Sequence, residues 1–140
     1  MSALAYSHHF ADHFAKESAA PIEFWRRRAE QGAKAIKSAT FVAVDDGGFA
    51  GVGEGFLSED GGTVEIGGMW VRPALRRSGI GLGLLGAVCE WARERGAGRA
   101  RLWVRSGNDP ARLLYERAGF APAATPNDQG RTGMRLERIL

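Results

Sequence analysis

A single cysteine, Cys89, leaves no partner for an intramolecular disulfide, so this 140-residue chain has to be held together by its packed core. Cys89 falls in an apolar segment, where a small buried side chain is the ordinary expectation. Long apolar runs are missing as well. The longest, such as Ile80 to Val88, are interrupted by glycine and fall well short of the roughly 20 residues that span a bilayer. No basic segment leads into an apolar run at the N-terminus, so a soluble cytoplasmic protein is expected, with no membrane partner. Lysine is scarce, and the net charge of +3 and isoelectric point near 9.5 rest mainly on arginine. That balance suits a polyanionic ligand, either nucleic acid or a phosphorylated compound. The basic residues lack interleaved aromatics, which argues against nucleic acid. His9 and His13 are spaced to share a helix face, but no third ligand is near in sequence, and no metal site is expected.

The 44% hydrophobic content is enough for one core, and a single domain over 1–140 is expected, with an irregular segment over 1–19. From Ala20 the pattern predicts a helix, with Pro21 at its first position, Glu23 in its first turn and Gly32 at its end. Phe24, Trp25 and Ala29 would form its apolar stripe, and Arg26 to Arg28 its solvated face. Thr40 to Val44, Phe49 to Leu57 and Thr63 to Val71 read as three strands of an antiparallel meander. In the second, Gly51, Gly53 and Gly55 strip one face of side chains, so something is expected to approach that backbone closely. A helix from about Gly79 to Arg95 follows, with Leu84, Leu85, Val88, Cys89 and Trp91 available to the core. Then come a strand at Ala100 to Val104, a helix at Pro110 to Ala118 and a strand at Thr132 to Glu137. Trp70, Trp91 and Trp103 occupy core-like positions, while Phe24 and Trp25 could wall a binding site. The order makes an α+β fold with one mixed sheet.

The junction Arg76, Arg77, Ser78, Gly79, Ile80, Gly81 joins a strand to a helix and exposes backbone N–H groups at the positive end of the helix dipole. Glycine there lets a diphosphate come close, and arginine adds charge-assisted bonds; the same glycines would also serve merely to pack the helix on the sheet. Gly81, Gly83 and Gly86 spell the dinucleotide pattern G-x-G-x-x-G, yet Pro73 to Ser78 separate them from the strand and no acidic residue stands about twenty positions on. No Gly-Lys-Ser or Gly-Lys-Thr follows to serve a nucleotide kinase.

The run from Val71 to Gly81 resembles the acetyl-CoA signature of the GNAT N-acetyltransferase superfamily. A second block, Asn108, Ala111, Leu114, Tyr115, Glu116, Gly119 and Phe120, is similar to that superfamily's N-x-x-A-x-x-L-Y-E-x-x-G-F segment. The resemblance covers about Phe24 to Gly119 and implies a GNAT-like mixed, mostly antiparallel sheet flanked by helices. Its strands at Thr63 to Val71 and Ala100 to Val104 would splay apart to admit a pantetheine arm. The usual N-terminal strand is not legible in Met1 to Ala19, so either the chain is shortened at its start or a second copy covers that edge as a homodimer.

The implied activity is transfer of an acetyl group from acetyl-CoA, as cosubstrate, to an amine of a small molecule or peptide; a silent acyl-CoA-binding module is the alternative. By the same resemblance the backbone of Met69 and Val71 would bond the cosubstrate's amides, and Arg76, Arg77, Gly79 and Gly81 would hold its diphosphate. Asn108 would bond its arm. Glu65 would act as general base and Tyr115 as general acid, with Glu54 on the neighbouring strand as the substitute base. Period-2 alternation puts Glu65, Gly67, Met69 and Val71 on one face unless a bulge intervenes. Asp109 is expected to cap the helix that follows Asn108.

Overall fold

The computed structural model describes residues 3–5, 23–27, 37–123 and 132–140. Its elements run β1 (Ala3–Ala5), β2 (Glu23–Arg27), β3 (Ser38–Asp45), β4 (Gly48–Leu57), β5 (Thr63–Val71), a 3-10 turn (Pro73–Leu75) and α1 (Ile80–Glu94). After them come β6 (Arg99–Arg105), α2 (Asp109–Arg117), β7 (Ala121–Pro122) and β8 (Gly133–Ile139). The strands form one sheet in the order β1-β2-β3-β4-β5-β6-β8-β7. Every neighbour is antiparallel except β5 and β6, which run parallel because α1 carries the chain back between them.

Helix α1 supplies most of the core. Ile80, Leu84, Leu85, Val88, Trp91 and Ala92 are buried on it, and Val64, Ile66, Leu102 and Leu136 meet them from the sheet. The close approach expected at the glycines of β4 is made by this helix. A Cβ on Gly51 would lie 3.0 Å from Leu84 Cδ1 and 3.1 Å from Ile80 Cγ2, and one on Gly55 only 2.6 Å from Val88 Cγ1. Three positions one turn apart on α1 thus track along a strand face that has no side chains of its own.

Two expectations are corrected. Glu23–Arg27 is a strand, paired with β3 from Glu23↔Val44 to Arg27↔Thr40. Local helix signals at Pro21 and Glu23 yield there to pairing with an existing sheet, which aromatic residues suit. The Gly32 end of the expected helix, and Arg28, Ala29 and the three histidines, lie outside the described residues. The N-terminal strand thought absent is β1, paired with β2 through Ala3↔Arg27 and Ala5↔Trp25. Three residues are too few to carry a period-2 pattern. The sheet thereby ends on short strands, β1 at one edge and β7 at the other, which removes the missing-strand reason for expecting a second subunit. Among the described residues no helix is long and apolar enough to cross a membrane.

Candidate active site

Strands β5 and β6 pair only from Thr63↔Arg99 to Ile66↔Leu102. Beyond that point β5 continues to Val71 and β6 to Arg105 without pairing to each other, so the sheet opens into a wedge. Among the described residues no strand pairs with Gly67 to Val71 on its β6 side, which leaves an edge for an extended ligand to pair with. Met69 and Val71 both lie on that edge. The Val71 carbonyl also accepts a bond from Arg76 Nε at 3.2 Å, which ties the edge to the following loop.

A bulge shapes this edge. Across β4 and β5 the register passes from Glu54↔Gly67 to Val52↔Trp70, so β5 carries one extra residue there. Gly68 accommodates it with φ +61, a left-handed backbone that a side chain would strain. The bulge breaks the alternation expected along β5. Glu65 and Gly67 share the face of Phe56 and Glu54, whereas Met69 and Val71 turn toward the core under α1. Trp70, expected in the core, is 44% exposed for the same reason. A glycine pair in a strand was the available signal for this feature.

At the wedge's mouth the chain turns through Arg76, Arg77 and Ser78 into α1. The Ser78 hydroxyl and N–H both donate to the Leu75 carbonyl, and Arg77 and Gly79 adopt left-handed φ values of 67° and 93° on either side of Ser78. Gly79 caps α1 with no side-chain bond to the first-turn N–H groups, and no acidic residue stands in that turn. The turn thus puts two arginines immediately before a helix start whose N–H groups have no side-chain cap, a combination of residues that suits a diphosphate. Arg72, the third arginine of this stretch, is committed elsewhere. Its guanidinium binds Asp45 at 3.0 and 3.1 Å and the Phe49 carbonyl at 2.6 Å, clamping the β3–β4 turn. The bare Cα of Gly81 also makes room for a neighbouring helix: a Cβ there would meet Leu114 Cδ2 of α2 at 2.8 Å.

That contact seats α2 against the first turn of α1 and brings the second motif to the wedge. Tyr115, next to Leu114, packs half-buried on the core with its ring edge-on to Phe120 at 6.4 Å. Burial pushes its phenol above the ordinary value near 10. Asn108, one residue before the expected cap, accepts the Ala111 N–H at 3.3 Å and caps α2 itself. Asn108, Arg105 and Arg112 border a small cavity of about 220 Å³ at the end of β6.

The sheet face away from α1 carries the carboxylates. Glu65 Oε2 binds Arg101 Nε at 2.6 Å, and Arg135 reaches both its oxygens at 3.4 Å. These arginines come from β6 and β8, and Arg135 also lies over the Trp103 ring at 6.0 Å. Both were missed in the sequence, where only the alternation of Arg99, Arg101, Trp103 and Arg105 hinted at a shared face. Glu65 borders an open groove of about 640 Å³ together with Phe56, Gly67, Trp103 and Arg105. Glu54 leans on the bulge, its carboxyl carbon 3.2 Å from where a Gly68 Cβ would be.

The family model for the acetyltransferase (GNAT) family matches residues 4–120. Streptothricin acetyltransferase from Streptomyces lavendulae is 42% identical over 85 residues, which is 60% of this chain and 45% of that enzyme. The chain thus spans less than half the length of this relative. The crystal structure of nourseothricin acetyltransferase superposes with a TM-score of 0.66 at 32% identity, covering 74% of this chain and 65% of the other. A Bacillus subtilis acetyltransferase solved in complex with CoA superposes with a TM-score of 0.62 at 23% identity, over 74% of this chain and 78% of that one. A wedge between parallel strands, opening on an uncapped helix flanked by arginines, is thus found on a chain whose family match runs from β1 to the end of α2, and the chain belongs to the acetyltransferase (GNAT) family.

Proposed function

We propose that this chain transfers an acetyl group from acetyl-CoA to an amine of a small molecule or a peptide. The observation that carries the reading is the unpaired stretch of β5 past Ile66↔Leu102, whose far end at Val71 pairs with Gly51 beneath Ile80 and so lies beside the uncapped start of α1. The free edge of β5 offers Met69 and Val71 to the amides of a pantetheine arm. Arg76, Arg77 and the backbone at Gly79 hold the diphosphate; Gly81 contributes by letting α2 close over the first turn of α1. Asn108 borders the arm from the α2 side.

Acetyl-CoA supplies an activated thioester. The protein's part is to orient the arm, take a proton from the amine and return one to the departing sulfur. Tyr115 suits the second task, because a phenol whose pKa is raised by burial stays protonated at neutral pH. For the first, Glu65 is the carboxylate that the family resemblance points to, and Glu54 presents a second one to the same face. The streptothricin and nourseothricin enzymes among its relatives support a small-molecule acceptor.

The test is a panel of amines, aminated antibiotics including streptothricin, and peptides, each incubated with acetyl-CoA while free thiol is followed. Amine-dependent thiol release is expected. Stabilisation by acetyl-CoA without such release from any acceptor would replace the enzyme by a silent acyl-CoA-binding module.

A further inference from the structure

We propose that Glu54, and not Glu65, takes the proton from the acceptor amine. The inference rests on the acetyl-transfer reading and decides between the two carboxylates of the open face by their surroundings.

A carboxylate accepts a proton only through a free lone pair, and each oxygen offers about two. On Glu65, Arg101 at 2.6 Å and Arg135 at 3.4 Å take both positions of Oε2, and Arg135 at 3.4 Å takes one of Oε1, so the one position left lies beside two guanidinium groups that disfavour taking up a proton. Two guanidinium groups from two further strands fix this side chain, and Arg135 is itself only 11% exposed. An arrangement of that kind joins β5, β6 and β8 below the point where β5 and β6 part. It also places two positive charges where an amine bearing an extra proton would have to approach.

Glu54 is in the opposite situation. It stands in mid-strand on β4, half-buried, between Val52 and Phe56 on the same face. No described residue forms an ion pair with it. Leaving a partly buried carboxylate unpaired among apolar neighbours costs stability, and such local inconsistencies concentrate at functional positions. Its carboxyl group touches the place where β5 has been stripped to backbone. Gly67 is directly opposite Glu54 in register, and a Cβ on Gly68 would lie 3.2 Å from both Glu54 Cδ and Oε1. The bulge therefore does two things: it turns Met69 toward the core and lays bare backbone beside the Glu54 oxygens at the start of the unpaired edge. Phe56 and Trp70, 46% and 44% exposed, flank that spot with aromatic surface suited to an amine-bearing body.

In the proposed step the amine nitrogen forms a bond to the acetyl carbon and the carbon–sulfur bond breaks. The proton lost by nitrogen passes to a Glu54 oxygen, and the sulfur takes its proton from Tyr115, so charge and atoms balance.

Two measurements on the full chain test this. The first needs no acceptor: water-soluble carbodiimide with a small amine labels free carboxylates, and peptide mass spectrometry reads each site. Glu54 is expected to label faster than Glu65 and to be protected by saturating CoA. The second is turnover with the best acceptor of the amine panel. Glu54→Gln should lower kcat by about 100-fold or more and recover partly as pH rises and the amine becomes neutral on its own. Glu54→Ala, supplemented with formate, should regain activity. Glu65→Gln should lose far less kcat and show no such pH rescue. Stabilisation by CoA together with an unprotected Glu54, or with a folded Glu54→Gln variant turning over at the parent rate, overturns the assignment to Glu54. Failure of CoA to stabilise the protein at all would instead remove the acetyl-transfer reading on which it rests.

Discussion

A methyl group on Gly55 would stand 2.6 Å from Val88 Cγ1, so α1 lies against β4 at a separation that only bare backbone permits. Gly55→Ala should therefore overpack the core and lower stability by about 1–3 kcal/mol. A urea titration would show a lower midpoint with an unchanged slope. Val88→Ala makes room for the new methyl. The double variant should accordingly lose less than the sum of the two single losses, with a coupling of about 0.5–3 kcal/mol. Strictly additive losses would mean that the helix rides farther from the strand than 2.6 Å implies.

Arg77 combines a charge at the proposed diphosphate site with a φ of 67° that non-glycine residues seldom adopt. Arg77→Gly relieves the backbone and removes the cation. The fold should be unharmed, since the roughly 1–2 kcal/mol cost of a left-handed side chain is returned against the added freedom of glycine in the unfolded chain. Affinity for acetyl-CoA should fall about tenfold or more, the size of one lost charge-assisted bond. Calorimetry with acetyl-CoA, alongside a melting curve, separates the two effects; undiminished affinity would take Arg77 out of the site. Gly81→Val is the poorer probe, because Leu114 already fills that space and α2 would be displaced.

The bounds of α1 and of β5 were legible in the sequence because local rules decide them. A glycine starts the helix and Gly96 follows its end, while Pro73 lies just beyond Val71. The three glycines of β4 announced a close neighbour without naming it, since what covers a strand face depends on a helix that the chain forms 25 residues later. Glu23–Arg27 went the other way: its helix-start signals were genuine but local, and pairing with β3 overrode them. The environment of Glu65 was out of reach for a related reason. Arg101 and Arg135 lie 36 and 70 residues away, and only the register of three strands brings them to one carboxylate. Gly67 and Gly68 sit where the strand turns irregular, but which residue is the extra one is settled by the pairing with Val52 and Glu54.

Alkaline pH should destabilise the fold through the buried Cys89 and the half-buried Tyr115. Burial raises the Cys89 thiol above its ordinary value near 9 and the Tyr115 phenol above its ordinary value near 10. A raised folded-state pKa means that the unfolded chain releases its proton first. The contribution of each group is therefore intact below the unfolded pKa and is lost as pH rises from there through the folded value. Melting temperature should fall from about pH 9 upward. Cys89→Ala should flatten the first part of that fall and Tyr115→Phe the second. A melting temperature that declines identically in parent and both variants would assign the loss to other groups.

Tyr115→Phe also isolates the chemistry proposed for the phenol, because the ring that meets Phe120 edge-on is kept and only the hydroxyl goes. Leu114, which fits over Gly81, is untouched, so α2 should remain seated on α1. If the hydroxyl protonates the leaving sulfur, kcat should drop about 10- to 100-fold while acetyl-CoA affinity stays at the parent level. The loss should depend on the leaving group rather than on the amine: an acetyl donor with a more acidic thiol, which needs no proton to depart, should react nearly as fast with the variant as with the parent. The opposite pattern, in which both donors slow equally and affinity falls with them, would mark Tyr115 as a packing residue that shapes the wedge. A melting temperature within a few degrees of the parent at pH 7 is the control, since a core defect lowers turnover with any donor.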